Sequence, residues 1–135
     1  MASDWVEMRL GDCLEKVIDN RGKTPPIIET ITPYGLIEVN ALVGARKYPN
    51  YNAIRKYVDK ETYETWFRSG HPRKGDVLFA TVGSIAEVAI LKEDKGSIAQ
   101  NLIALRPNSE ILISDFLYYH FSTPWSEPLK LDNLG

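Results

Sequence analysis

The run Asn20-Arg21-Gly22-Lys23-Thr24-Pro25-Pro26 contains Gly-Lys-Thr, the tail of a phosphate-binding loop. A full loop reads G-x-x-x-x-G-K-[ST], and its first glycine would fall where this chain has Val17. The loop must also run straight into a helix, whose first amides hold the phosphates. Pro25 and Pro26 work against that, because each drives the residue before it toward extended geometry. The spacing therefore argues against a nucleotide, and Arg21 and Lys23 read as two cations on a stiff, extended surface loop.

Other catalytic patterns are equally incomplete. Zinc ligation needs clustered histidines or cysteines, and His71 and His120 are far apart with no cysteine beside them. Gly83-Ser84 lacks the second glycine of a nucleophile elbow. Cys13 has no basic neighbour to lower its pKa and reads as a small packed residue. Asp76 with Glu93-Asp94-Lys95 superficially matches a metal-dependent nuclease. However, Lys92 to Gly96 is polar throughout and ends in glycine, like a hairpin tip, and a tip is a poor mount for a metal ligand. Thr24-Pro25-Pro26-Ile27 is not the Asn/Asp-Pro-Pro-aromatic tetrapeptide of an adenine methyltransferase.

Binding chemistry is better represented. Between Gly44 and Tyr57 the chain interleaves Arg46, Lys47, Arg55 and Lys56 with Tyr48, Tyr51 and Tyr57. Cations attract phosphates, and tyrosines offer a stacking face and a hydroxyl donor. The net charge of −2 hides an uneven distribution. Residues 1–45 sum to −3, residues 46–74 to +5 and residues 75–135 to −4. A basic middle on an acidic body is a partner surface for a polyanion, or a solvated helix face with its neighbouring loops.

The elements that must position these residues are short. At 135 residues, with 44% hydrophobic and 25% charged side chains, the chain is sized for one domain with its own core. No apolar run is long enough for a membrane span, and no secretory signal is visible, so a cytoplasmic setting is expected. A lone cysteine excludes an internal disulfide. Trp5–Arg9 alternates like a strand, and Gly11 or Asp12 is expected to cap a short helix carrying Leu14, Val17 and Ile18, stopped at Gly22. Leu36, Ile37 and Val39 read as a strand, and residues 44–57 as a loop. Asp59 is a good N-cap for a helix with Tyr63, Trp66 and Phe67 on its core side and Arg68 in its last turn. Val77-Leu78-Phe79 is a strand buried on both faces, followed by a small-residue connection at Gly83 and a strand at Val88–Leu91. Residues 97–107 return the chain, and Ser114 is expected to cap a last helix that Pro124 stops. The fold class is α+β, with one mixed, mainly antiparallel sheet and three or so short flanking helices.

In the order of these features the sequence resembles the target recognition domain of the DNA specificity subunit of type I restriction-modification systems. The resemblance rests on Trp5 with Arg9-Leu10-Gly11-Asp12, then "RGKTPP" from Arg21, then "KGDVLFATVGSIAEVAI" from Lys74 to Ile90. "AQNLIAL" from Ala99 to Leu105 and the helix "SDFLYYHF" complete it, so that it spans nearly the whole chain. It implies a non-catalytic chain that reads one half of a split duplex DNA sequence and holds methyltransferase and restriction subunits in place. It also implies no cofactor here, with S-adenosylmethionine, ATP and Mg on the partner subunits. Family members usually carry two such domains with long helical spacers. Residues 1–135 have room for one, as a fragment, a half-length subunit or a module of a related single-chain enzyme.

On that reading Arg46, Lys47, Arg55, Lys56, Arg73 and Lys74 grip phosphates, and Tyr48 and Tyr51 add stacking surface. Arg21, Lys23, Thr24, Asn50, Tyr51 and Asn52 are the candidates for reading base edges. Two alternatives remain: a protein-interaction domain whose basic middle docks an acidic protein, and a metal-dependent nuclease.

Overall fold

Val77 to Ala80 has no polar residue, and a strand of that kind must be covered on both sides. The computed structural model, which describes residues 10–44, 47–81, 87–109 and 113–122, shows how. Four strands, β1 (Leu14–Ile18), β2 (Val77–Ala80), β3 (Val88–Ile90) and β4 (Leu102–Pro107), form one sheet in the order β1-β4-β2-β3. Val77 and Phe79 meet one cluster, with Val88, Ile90, Ile103 and Leu105, under the helix α2 (Ser114–Phe121). Leu78 and Ala80 meet the other, with Ile18, Ala89, Leu102 and Ala104, beneath Ile37, Leu42, Leu91 and Ile98. A third cluster joins Leu36, Val58, Phe67 and Ala99 to the aromatic side of the helix α1 (Lys60–Thr65). Each fully buried Leu or Ile contributes about 1.5–3 kcal/mol of transfer free energy.

Several expectations hold. Asp59 caps α1 by accepting from the Thr62 amide, which also holds its carboxyl below the usual carboxylate range. Tyr63, Trp66 and Phe67 pack into the core as the spacing implied. The α+β class stands, around a single antiparallel sheet.

Other expectations are corrected. Every pairing in the sheet is antiparallel; the parallel contacts are isolated bridges at Leu36↔Ser97 and Ala99↔Asn101. Among the described residues there are two α-helices and three short 3-10 turns, not three or so helices. Leu14, Val17 and Ile18 lie on strand β1: Gly11 and Asp12 are used up in a 3-10 turn at Leu10–Cys13, and β4 offers an open edge, with Val17 opposite Leu105 and Ile18 opposite Ala104. Gly22 (φ 117°) closes a turn after that strand, not a helix. Leu36 and Ile37 make single contacts to the Tyr57 and Ser97 segments, and Val39 opens a 3-10 turn at Val39–Ala41. Helix α1 ends at Thr65, leaving Arg68 beyond it. Ser114 is inside α2 and its hydroxyl donates to the Gly75 carbonyl, while Ile113 occupies the cap position. Trp5–Arg9, Gly83-Ser84 and Pro124 lie outside the described residues.

The largest topological correction concerns residues 91–101. They do not form a hairpin, because β2 lies between β3 and β4. The segment instead crosses beneath the sheet, with the Ser97 amide donating to Gly35 and the Ile37 amide to Ser97. Gly96 makes that crossing close: its φ is 78°, and a Cβ there would stand 2.7 Å from the Gly35 carbonyl oxygen. Residues 92–95 are thereby held as an exposed, polar loop at one end of the sheet.

Candidate nucleic-acid interface

The turn leading into β2 is built round one carboxylate. Asp76 is 2% exposed; its Oδ1 accepts from Arg106 Nε at 2.9 Å, and its Oδ2 from Arg106 Nη2 and the Arg73 amide, both at 2.8 Å. This bidentate pair raises the Arg106 pKa further. It also commits the acid that a nuclease would need as a metal ligand. With the turn fixed, Arg73 and Lys74 project into solvent. The Lys74 amide donates to Asp94 Oδ1 at 2.6 Å, which binds the turn to the 92–95 loop.

The tyrosine-rich segment borders the same loop from another side. Ile90 of β3 donates to the Lys47 carbonyl at 2.7 Å. Tyr48, 43% exposed, has Lys92 Nζ 5.4 Å and Lys47 Nζ 5.8 Å from its ring centre. Lys95 Nζ lies 5.3 Å from the Tyr51 ring, whose hydroxyl pKa is pushed up by burial. The loop is thus ringed by Lys47, Arg73, Lys74, Lys92 and Lys95, set against Glu93, Asp94 and Asp115, a local net charge of +2.

The contacts therefore bring together Lys47, Tyr48, Tyr51, Arg73 and Lys74 of the residues singled out from sequence. Others are placed or used differently. Arg21 is bound to Asp19 at 2.6 Å, which raises its pKa and lowers that of Asp19, and its segment is pinned beside Gln100 through the Gly22 amide. Lys23 and Thr24 are exposed on that same segment. Lys56 is bound to Glu38 at 3.1 Å, next to an exposed Arg55. Lys47 reaches Asp115 of α2 at 3.0 Å, an exposed pair that raises the lysine pKa. Asn50 caps a 3-10 turn by accepting from the Asn52 amide, which leaves the Asn52 side chain exposed. Arg46 lies outside the described residues. Lys92 and Lys95 were not picked out from sequence, because they sit in the acidic stretch 75–135 and only the fold carries them to the tyrosines. Cys13 is not poised for nucleophilic chemistry, since burial and then the Asp12 charge push its thiol pKa up.

The family of type I restriction modification DNA specificity domains matches residues 2–132. The chain belongs to this family. The HsdS subunit from Thermoanaerobacter tengcongensis superposes on the specificity domain with a TM-score of 0.60 at 21% identity, over 94% of this chain and 30% of that one. A chain from a structure on complex assembly and conformational transition of the type I R-M system gives 0.57 at 23% identity, over 93% and 29%. At these identities the likeness is one of fold, and the specificity domain spans about three tenths of each structure's length. Among curated proteins, none matches.

Beside its basic loop the specificity domain has an open cleft of about 400 Å³, lined by Lys16, Tyr63, His71, Arg73, Asp94 and Arg106. His71 is locked in its wall. Nε2 donates to the Tyr63 carbonyl at 2.8 Å, so Nδ1 accepts from the Ser97 hydroxyl at 2.7 Å, and the ring stacks on Tyr63 at 3.7 Å. Burial holds the His71 pKa below the ordinary value, outweighing the Tyr63 hydrogen bond; burial acts the same way on His120. The unfolded chain therefore takes up protons at about pH 6.5 that the folded chain refuses. Stability is full above that pH and falls as the pH drops through the lower, folded values. Urea midpoints should decrease between pH 7.5 and pH 5.5, and His71→Gln should flatten the decline. Equal midpoints at the two pH values would contradict this assignment.

Proposed function

We propose that the specificity domain reads one half of a bipartite duplex DNA target and thereby positions the methyltransferase and restriction subunits of a type I complex. One observation carries the reading: four cations, Arg73, Lys74, Lys92 and Lys95, surround one exposed loop with Tyr48 and Tyr51 beside them, and among the described residues no carboxylate side chain pairs with any of the four. Such a group suits a phosphate backbone, with the exposed Tyr48 as a further donor. Arg55 and Lys23 are further candidates for phosphates, and Lys47 and Lys56 become so by exchanging a carboxylate for a phosphate. Thr24 and Asn52, exposed on other loops, remain candidates for base edges. Residues 1–135 form one recognition domain, the second half-site being read elsewhere in the assembly. Catalysis, with S-adenosylmethionine, ATP and Mg, belongs to the partner subunits, and the working compartment is the cytoplasm. Among the described residues no helix is long and apolar enough to cross a membrane.

The test is a fluorescence-anisotropy titration of the 135-residue chain against random-sequence duplex at several salt concentrations. Contact with about four phosphates gives a log–log slope near −3.6. A flat salt dependence, or no binding at low salt, would turn the basic loop into a docking site for an acidic protein instead.

A further inference from the structure

Asp94 is out of place on a surface that meets a polyanion. It lies between Lys92 and Lys95 in sequence and lines the cleft with Arg73. It is exposed, and among the described residues it forms no ion pair. Its carboxylate is nevertheless held in place, because Oδ1 accepts from the Lys74 amide at 2.6 Å. That leaves Oδ2 as a fixed acceptor. A carboxylate near DNA is repelled by every phosphate, and in the major groove only the amino groups of cytosine N4 and adenine N6 donate to it.

The cleft is a poor seat for a phosphate. Arg106 is committed to Asp76 through two of its nitrogens. Glu15, Asp76 and Asp94 all act on that guanidinium, balancing Lys16, Arg73 and Arg106 in number. Its chemistry is instead paired: an arginine whose guanidinium meets no carboxylate, and a fixed acceptor. In the major groove a C·G pair presents the matching pattern, with a cytosine amino group beside guanine O6 and N7.

We propose that Asp94 and Arg73 together read one C·G base pair, Asp94 Oδ2 accepting from cytosine N4 and the Arg73 guanidinium donating to guanine O6 and N7. This rests on the DNA-reading function proposed above and adds the base class and the residues that choose it; on unrelated duplex Arg73 meets a phosphate, and on the specific site it turns to the guanine edge. In Asp94→Asn the side-chain oxygen stays on the Lys74 amide, so an NH2 donor replaces the outward acceptor.

The experiment selects bound duplexes from a random pool with the wild-type chain, Asp94→Asn, Asp94→Ala and Arg73→Ala, each checked by circular dichroism. The wild type should enrich a motif in which changing one C·G pair costs about tenfold or more in affinity. Asp94→Asn should shift that position toward a keto base, guanine or thymine. Asp94→Ala should weaken the preference at that position, leaving it to Arg73 alone, while binding of unrelated duplex tightens, and Arg73→Ala should let an A·T pair compete with C·G there, because adenine N6 also donates to the carboxylate. If the wild type enriches a motif and both Asp94 variants enrich it unchanged, this inference falls and the DNA-reading function stands. If the wild type binds no duplex, both fall.

Discussion

Replacing Arg73, Lys74, Lys92 and Lys95 by alanine in one variant lowers affinity for random duplex DNA about a thousandfold at 0.15 M salt. The magnitude follows from counterion release. Each phosphate neutralised frees about 0.9 of a counterion, worth roughly 0.7 log units at that salt concentration, so four contacts give about three. The four side chains are exposed, and the structural bonds of this region run through the Lys74 amide and the Asp94 carboxylate, which the variant retains. Unchanged circular dichroism with a much shallower salt slope is therefore the expected pair of results. Arg21→Ala with Lys56→Ala makes the contrast, because each of those cations must give up Asp19 or Glu38 before it can meet a phosphate. That double variant should change affinity by less than about fivefold, in keeping with the small energies of exposed pairs. Equal losses in the two variants would show that the grip is spread over the surface and not gathered at the 92–95 loop.

The uneven legibility of this site in the sequence has a physical cause. Val77-Leu78-Phe79 and the aromatics Tyr63, Trp66 and Phe67 were readable because a doubly buried strand and an i, i+3, i+4 face each leave a local pattern. Asp59 was readable because a cap acts within its own first turn. Leu14 to Ile18 misled because Leu14, Val17 and Ile18 also fit a helical face, and only the edge of β4, some ninety residues later in the sequence, decides for a strand. The 92–95 loop misled more deeply. Its polar run and Gly96 look like a tight turn, yet Gly96 has positive φ for a close crossing against the Gly35 carbonyl. Lys92 and Lys95 reach Tyr48 and Tyr51 only through that crossing. Charge counted along the chain placed the basic surface in residues 46–74, whereas the folded surface takes two of its lysines from the acidic stretch 75–135 and gives Lys47 and Lys56 to carboxylates.

Asp76→Ala should destabilise the fold by about 3 kcal/mol, the lower end of the range for removing one partner of a buried ion pair. The lower end applies because Arg106 is 13% exposed and its charge can still find some water, while Asp76 is 2% exposed. The alanine strips Arg106 of two hydrogen bonds and the Arg73 amide of its acceptor, so the turn into β2 loses its organiser along with the pair. A melting temperature lower by on the order of 10 °C is the corresponding thermal readout. The basic loop should suffer beyond the stability loss, since Arg73 and Lys74 are displayed by that turn: DNA affinity should fall even at temperatures where the variant is folded. The double variant Asp76→Leu, Arg106→Met separates the two roles. Replacing a buried pair by apolar side chains of similar volume is often neutral or stabilising, so most of the lost stability should return. The Arg73 amide would still lack its acceptor, so affinity should stay low. Recovery of both together would mean that the carboxylate matters only as the partner of Arg106, and not as the group that aims the Arg73-Lys74 turn at the DNA.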